Sequence, residues 1–216
     1  MNKDIEFFTK KFNVSRETIE KLNIYNDFLL KNNKLLNLIG KTTENHIFSR
    51  HFTDSAQIYD LIENKSEIVD IGSGAGFPGV IIKILMDSKK VDGNVVLIDK
   101  SPKKCRFLND LSNKLGLKLK IQNVRLEDYK FSKISTIVSR AFKKAIETID
   151  ILFKNNDKIR TVILMKGKTY QHELEEVKKK YTFDIEKFRS ITSDESYILK
   201  IRNIKHSTTT NCKCLG

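Results

Sequence analysis

The sequence lacks several features that would assign it to whole classes of protein. It contains no tryptophan, two prolines and three cysteines among 216 residues. Three thiols cannot form a disulfide framework, and Cys212 and Cys214 have no second pair of ligands at zinc spacing, so we expect no metal site. No segment approaches the roughly 20 apolar residues that span a bilayer, and the N-terminus has no apolar core of a secretory signal. These absences favour a cytoplasmic protein with no metal and no membrane partner.

The charge balance, by contrast, is strongly positive. Lysine and arginine number 40 against 27 aspartates and glutamates, which gives a formal net charge of +13. An excess of this size indicates a polyanionic partner, either nucleic acid or an anionic membrane surface. A chain rich in lysine, asparagine and isoleucine is also what an AT-rich coding sequence produces. The charge alone therefore leaves both explanations open.

Apolar periodicity divides the chain into a helical part and an alternating α/β part. Within residues 1–64, Ser15 is the expected N-cap of a helix ending near Asn37, and a second helix is expected over 47–62. From residue 65 onward, short apolar runs alternate with amphipathic segments, which is typical of βαβ units and a parallel sheet. The expected strands are 68–71, 95–98, 117–121, 134–138 and 162–165, and the expected helices are 79–87, 102–115, 143–153 and 170–179.

The chain ends differently from a simple nucleotide-binding fold. Residues 181–188 and 196–204 are two β-like runs with no helix between them, so we predict an antiparallel pair at one sheet edge. Five βα units followed by such a hairpin predict a Rossmann-like α/β fold with a seven-stranded, mainly parallel sheet. This is the order of class I S-adenosylmethionine-dependent methyltransferases. We divide the chain into an N-terminal helical extension (1–64), an α/β core (65–205) and a flexible tail (206–216).

A glycine-rich turn separates the first predicted strand from the helix that follows it. Within IVDIGSGAGFPGV, residues 68–80, alternate positions are occupied by Gly72, Gly74 and Gly76. Glycine is used where the backbone takes a positive φ, or where a ligand approaches closer than a Cβ permits. The spacing therefore predicts a ligand-binding loop whose chemistry depends on the flanking residues.

Three ligand classes compete for this loop. A P-loop needs lysine and then serine or threonine after its last glycine, but Val80 and Ile81 stand there. A dinucleotide fingerprint needs glycine at the position of Phe77, which weakens an NAD(P)-dependent oxidoreductase without excluding it. S-adenosylmethionine has no phosphate and needs only a loop whose backbone it can approach closely. Asp70 can bind its ammonium group directly or through water, and Asp99, at the end of the second strand, can accept hydrogen bonds from its ribose hydroxyls. We favour this third class.

The ends of the third and fourth strands indicate the acceptor. Leu126 and Glu127 follow the third strand, where they can contact an adenine ring. Arg140 follows the fourth strand, where amino-group methyltransferases carry a Pro-Pro loop, and no cysteine nucleophile for pyrimidine C5 lies there. These exclusions favour an acceptor with a free lone pair, such as guanine N7, whose methylation needs in-line positioning more than acid–base chemistry. Arg140 can bind guanine O6, a backbone phosphate or the cofactor carboxylate, and the sequence leaves these roles open.

Six segments occur in the order of one known family. They are Asn37-Leu38, RHFTDS over 50–55, DIGSGAGFPG over 70–79, DKSPKKCRFL over 99–108, VSRAF over 138–142 and MKG over 165–167. Through them the chain resembles the RsmG/GidB family of bacterial enzymes, which methylate N7 of a guanine in 16S ribosomal RNA. The resemblance spans about residues 25–204. It implies a monomeric enzyme whose partner is small-subunit ribosomal RNA or an assembling 30S subunit.

The resemblance also implies site residues. By this resemblance the cofactor contacts are Gly72, Phe77, Asp99, Leu126, Glu127 and Arg140. They add to Asp70, Gly74 and Gly76, which the loop sequence itself makes candidates for cofactor binding. His51 and Asp54 lie in the family's helix before the sheet, and His51 joins Arg140 as a candidate catalytic residue. Where the family usually has tryptophan this chain has Asn32, a departure that concerns the packing or RNA contact of its helix.

Basic residues are concentrated after Asp99. Residues 101–120 hold six basic residues against Asp110 alone, whereas residues 63–99 hold four against six acidic ones. We predict that RNA passes beside the cofactor crevice over Lys103, Lys104, Arg106, Lys143, Lys144, Lys166 and Lys168. Many such lysines simply lie on solvated helix faces. A non-catalytic RNA-binding module on the same fold also stays an alternative.

Overall fold

A seven-stranded sheet forms the centre of the computed structural model, which describes residues 3–131, 135–155 and 161–207. Its strands are β1 Glu67–Ile71, β2 Asn94–Ile98, β3 Leu119–Gln122, β4 Thr136–Arg140, β5 Thr161–Lys166, β6 Tyr181–Arg189 and β7 Tyr197–His206. They are arranged in the order β3-β2-β1-β4-β5-β7-β6. The first five strands run parallel, whereas β7 is antiparallel to both β5 and β6. The predicted fold class and edge hairpin are confirmed.

The central strands are mostly apolar and are buried along nearly their whole length, because helices cover both faces of the sheet. In β1, β2 and β5 the burial is nearly continuous and does not alternate. The helices are α1 Lys3–Phe12, α2 Arg16–Leu36, α3 Asp54–Ala56, α4 Gly79–Ser88, α5 Pro102–Leu115, α6 Ala145–Asn155 and α7 Tyr170–Lys178. Predicted strand and helix positions agree with these bounds to within a few residues. Residue 134, predicted to open β4, lies outside the described residues.

The N-terminal segment, residues 3–64, packs on the same face of the sheet as α4 and α5. Ser15 caps α2, its hydroxyl accepting from the Thr18 amide, and Asn37 ends the helix in a left-handed conformation with φ +48°. Both ends were predicted. Phe8 and Leu22 are fully buried in one apolar cluster with residues of α4 and α5. The segment therefore shares the core of the sheet.

The predicted helix over 47–62 is not a regular α-helix. The chain forms a π-helix over Phe48–Thr53, the short α3, and a 3₁₀ turn over Tyr59–Leu61. An apolar spacing of three and four residues is compatible with both windings, so the sequence pattern could not separate them. Local π-helix often accompanies functional positions, and this one contains His51.

Two other boundaries differ from those predicted. Helix α6 begins at Ala145, two residues late, because Ala141 takes a left-handed conformation with φ +51° and the chain bends before the helix. Strand β7 includes His206, assigned above to the tail, because its ring packs 4.6 Å from Phe153 and 4.8 Å from Tyr181. Residues 208–216, which hold the rest of the predicted tail with Cys212 and Cys214, lie outside the described residues.

One carboxyl group is enclosed in the sheet. Asp70 of β1 is fully buried; its Oδ2 accepts from the Gly79 amide at 2.9 Å at the start of α4, and its Oδ1 has no hydrogen-bond partner. Burial raises the pKa of Asp70 from 3.8 to about 7, although the Gly79 hydrogen bond opposes the rise. The folded state therefore binds a proton that the unfolded chain releases.

Asp70→Asn should change how stability depends on pH. The stabilisation from the Asp70 proton is fully present below about pH 4 and is lost as pH rises through the folded pKa of about 7. The amide of the variant carries no such titrating proton. The free energy of unfolding of the variant, relative to that of wild type, should therefore rise by about 2–3 kcal/mol from about pH 5 to about pH 8. Urea unfolding at both pH values measures this difference. Asp110→Asn, at an exposed carboxylate of α5, should show no comparable change, and equal pH dependence in Asp70→Asn and wild type would contradict the expectation.

Candidate functional site

The glycine loop, residues 72–78, lies on the carboxyl ends of β1 and β2. The amides of Gly72 and Ser73 donate to the Ile98 carbonyl at 2.9 and 3.0 Å, which fixes the loop against β2. A Cβ on Gly76 would lie 2.5 Å from Val80, so glycine is required there by packing. Gly74 is different. Its φ is +58° and a Cβ there would meet no atom closer than the Gly72 oxygen at 3.8 Å, so this backbone faces open space.

Asp99 braces the open part of the loop. Its Oδ2 accepts from the Gly74 amide at 2.9 Å and its Oδ1 from the Ser101 amide at 2.8 Å, at the start of α5. The side chain of Asn123, after β3, donates to the Asp99 carbonyl at 3.0 Å. The structure thus places Asp99 beside Gly74, at the strand ends where open α/β sheets bind ligands.

Asp70 lies behind the loop and not in the crevice. Its carboxylate has no exposed surface and bonds to the first amide of α4. The direct contact with an ammonium group expected from the sequence is therefore corrected to a supporting role. Leu126 and Glu127 lie in a 3₁₀ turn, Leu126–Asp128, after β3; the Leu126 side chain is buried and Glu127 is exposed.

Arg140 is the centre of a second cluster, at the end of β4. Its guanidinium lies 3.3 Å from Asp54 Oδ2, donates to Nδ1 of His51, and stands over the Phe77 ring at 5.3 Å. The His51 and Phe77 rings are themselves stacked at 5.1 Å. The Arg140 and Asp54 side chains are each only 18% exposed. The Arg140 guanidinium therefore lies among aromatic rings, with the Asp54 carboxylate as its counter-ion.

His51 is neutral in this arrangement. Burial and the neighbouring Arg140 charge lower the pKa of His51 to about 3. Since Nδ1 accepts from Arg140, the ring proton lies on Nε2, which donates to the Thr43 hydroxyl at 2.8 Å. Both ring nitrogens are occupied by these contacts. By accepting the hydrogen bond from Arg140, His51 helps to hold the guanidinium in position.

Asp54 had no predicted role, yet it joins Arg140 to the β6–β7 turn, residues 190–196. Its Oδ1 accepts from the Gln57 side chain and the Thr192 hydroxyl, each at 2.8 Å. Gln57 also accepts from the Ile191 amide at 2.9 Å. The turn and the helix lie more than 130 residues apart in the chain, so no local pattern could reveal their pairing. The available signal was the polar content of RHFTDS in an otherwise apolar helix.

A cavity of about 360 Å³ opens beside Arg140, between the ends of β4 and β5 and the β6–β7 turn. Phe142, Met165, Tyr197 and Ser190 are among the residues that line it. The site therefore has two adjacent parts. One is the crevice at Gly74 and Asp99, and the other is this cavity.

The predicted RNA-contacting lysines are not equivalent. Four of the seven basic side chains are exposed and two are half-buried; the exposed ones are Lys103, Arg106, Lys144 and Lys168, and the half-buried ones are Lys104 and Lys143. Lys166 is corrected, because its side chain is only 10% exposed, pairs with Glu173 at 2.9 Å and donates to the Lys143 carbonyl. This lysine joins β5, α6 and α7 and is not free to bind a phosphate.

Within residues 3–131, 135–155 and 161–207, no three His, Cys, Asp or Glu side chains are grouped so as to hold a metal ion. Among the same residues, no helix combines the length and apolar character that crossing a membrane requires.

Solved structures show the fold of this chain in proteins of low sequence identity. M. capricolum TrmK, in complex with S-adenosylhomocysteine, superposes with a TM-score of 0.52 at 18% identity, covering 72% of this chain and 70% of that one. A ribosomal protein L11 methylase from Lactobacillus delbrueckii subsp. bulgaricus superposes with a TM-score of 0.51 at 16% identity, covering 76% and 79%. The fold is that of class I S-adenosylmethionine-dependent methyltransferases.

Sequence relatives are much more similar. Ribosomal RNA small subunit methyltransferase G of Pelagibacter ubique is 36% identical over 199 residues, which is 91% of this chain and 93% of the relative. The protein of the same name from Rickettsia akari is 38% identical, covering 88% of this chain and 97% of the relative. The model of one protein family matches residues 18–201, which include the glycine loop, Asp99 and the whole Arg140 cluster. The chain therefore belongs to the GidB family, rRNA small subunit methyltransferase G.

Proposed function

We propose that this protein transfers a methyl group from S-adenosylmethionine to N7 of a guanine in small-subunit ribosomal RNA. The observation that carries the proposal is that Phe142, which lines the cavity beside Arg140, lies against Gly72 of the glycine loop, whose backbone is open at Gly74, in a chain of this family. One place suits the methyl donor and the other the acceptor. The substrate is either naked 16S RNA or the same RNA within an assembling 30S subunit. The enzyme acts in the cytoplasm as a monomer.

The crevice fits the donor by its chemistry. S-adenosylmethionine has no phosphate, and the loop offers open backbone at Gly74 without the lysine that phosphate loops use. We assign ribose recognition to Asp99, adenine contact to Leu126 and Glu127, and close approach to Gly72, Gly74 and Phe77. Asp70 and Gly76 shape the loop from behind. The bound cofactor supplies an electrophilic methyl group on its sulfonium.

The residues of the site suit an acceptor that loses no proton. Guanine N7 carries a free lone pair, so the protein needs to position it in line and to exclude water. His51 is neutral, and both of its ring nitrogens are engaged. We therefore assign no proton transfer to His51. Arg140 supplies a fixed positive charge to the cofactor carboxylate or to guanine O6. Since His51 and Asp54 both come from the N-terminal segment, that segment is a working part of the site.

The function is tested by transfer of labelled methyl groups to small-subunit RNA or subunits, followed by mapping of the modified base. Wild type should label guanine N7, and Gly74→Asp should abolish labelling because its side chain enters the space that the cofactor needs. Gly116→Asp is the matched control, since Gly116 has nearly the same φ of +61° with nothing within 4 Å, but caps α5 away from the loop. It should label normally.

Each alternative function predicts a different result. Label on protein or on small molecules alone would refute the proposal. Binding of NAD(P) without binding of S-adenosylmethionine would indicate an oxidoreductase. RNA affinity without methyl transfer in the wild type would indicate a non-catalytic RNA-binding module.

RNA affinity should depend on the start of α5. We expect Lys103→Glu with Lys104→Glu to lower affinity for small-subunit RNA about tenfold at low salt, and to flatten the plot of log affinity against log salt. The matched control, Lys187→Glu with Lys205→Glu, makes the same charge change on exposed lysines of the opposite sheet edge. It should have little effect. Filter binding at several salt concentrations measures both, and equal losses in the two double variants would disprove the RNA path.

The pH dependence of kcat should contain no contribution from titration of His51. Because the pKa of His51 is about 3, kcat should show no His51 inflection between about pH 6 and about pH 9. His51→Ala should lower kcat about tenfold or more by releasing Arg140, with the shape of the pH profile unchanged. His172→Ala, at an exposed histidine of α7, serves as control. A wild-type inflection near pH 6.5 that His51→Ala removes would instead make His51 an acid–base catalyst.

A further inference from the structure

An aromatic ring stands between the glycine loop and the cavity. Phe142 follows Arg140 by two residues, in the bend between β4 and α6. A Cβ on Gly72 would lie 2.2 Å from the Phe142 ring, so the ring rests directly on the loop backbone. The same side chain lines the cavity beside Arg140. One planar group therefore touches both parts of the site.

The backbone before this ring is strained. Ala141 has φ +51°, in the left-handed region that residues other than glycine rarely adopt. Strain of this kind persists where the surroundings impose it, and it is frequent at ligand sites. Here the bend turns the chain immediately after Arg140 and places Phe142 over Gly72. The position of the ring is thus set by the backbone and by the loop under it.

The rest of the cavity suits a flat base better than a charged group. Four of the charged side chains that line it form two ion pairs, Asp54 with Arg140 and Lys166 with Glu173, so each of the four already has an internal partner. Apolar and ring surfaces are provided by Met165, Ile198 and Tyr197. Lys143 and Lys144, which also line the cavity, can meet the phosphates of a strand entering it. A volume of about 360 Å³ lies in the range of sites for small planar ligands.

We propose that this cavity receives the acceptor guanine as an unstacked base, and that Phe142 is the ring on which this base stacks. The inference rests on the proposed function and adds the substrate contact to it. A base inside an A-form helix is not accessible to side chains through the deep, narrow major groove where N7 lies, so it must leave the stack to reach a buried methyl donor. Stacking on Phe142 would then hold the base next to the glycine loop.

The kinetic test separates the base contact from the cofactor contact. Loss of a base–aromatic stack costs about 5- to 150-fold in affinity, so Phe142→Leu should lower kcat/KM for RNA within that range, mainly through KM. Its Kd for S-adenosylmethionine should stay within about twofold of wild type. Phe142→Tyr keeps a ring and should restore most of the activity. It also shows that the position tolerates substitution if the leucine variant is unstable.

The optical test uses the absence of tryptophan from the chain. Phe142→Trp places the only tryptophan of the chain in the cavity, and its emission, excited selectively over that of the tyrosines, should be quenched when small-subunit RNA binds. Phe7→Trp, at an exposed phenylalanine of α1 that does not line the cavity, is the control and should change little.

Two results would overturn the assignment of Phe142. One is an unchanged kcat/KM in Phe142→Leu together with an unquenched tryptophan. The other is a loss of cofactor affinity with an unchanged KM for RNA, which would place the ring in the donor site. Wild-type protein that methylates guanine N7 in the same assay shows that only the ring assignment has failed. Wild-type protein that methylates no guanine overturns the proposed function with it.

Discussion

The buried guanidinium of Arg140 is the interaction on which the geometry of the site depends. It links three parts of the chain that are distant in sequence: the end of β4, the N-terminal segment through His51 and Asp54, and, through Asp54, the β6–β7 turn. Removing one partner of this half-buried pair would leave the remaining charge without its compensation. The N-terminal segment is therefore held in place by a charge as well as by apolar packing.

The glycine loop is held in place by its neighbours everywhere except at the open backbone of Gly74. Tyr25 of α2 is fully buried and donates to the Ala75 carbonyl at 2.6 Å, while its ring stacks on Phe77 at 5.5 Å. Asp99 holds the Gly74 amide in front, and Asp70 holds the start of α4 behind. A loop fixed by these contacts does not need to be ordered when a ligand arrives, so less of the binding energy is lost to entropy.

The fold could be predicted because its signals are local. Continuous apolar runs specify strands buried on both faces, and the missing helix between residues 188 and 196 specifies the antiparallel edge. Asp99, too, could be found, because a carboxylate at the end of the second strand follows from strand order. The Arg140 cluster could not be assembled in this way. Its members are brought together by packing between elements 89 residues apart in the case of His51 and Arg140, and such pairings leave no periodicity in the sequence.

The corrections at Lys166 and Asp70 have a common cause. The sequence pattern predicts an RNA contact for Lys166 and a ligand contact for Asp70 because charged side chains are expected to face solvent or substrate. Both are instead used inside the protein, Lys166 in an ion pair and Asp70 at a helix start. This use of buried charges fits the N7 methylation proposed above. Because the proposed reaction needs no general base, these charges serve to position backbone and rings, and the proposed transfer depends on how closely donor and acceptor are aligned.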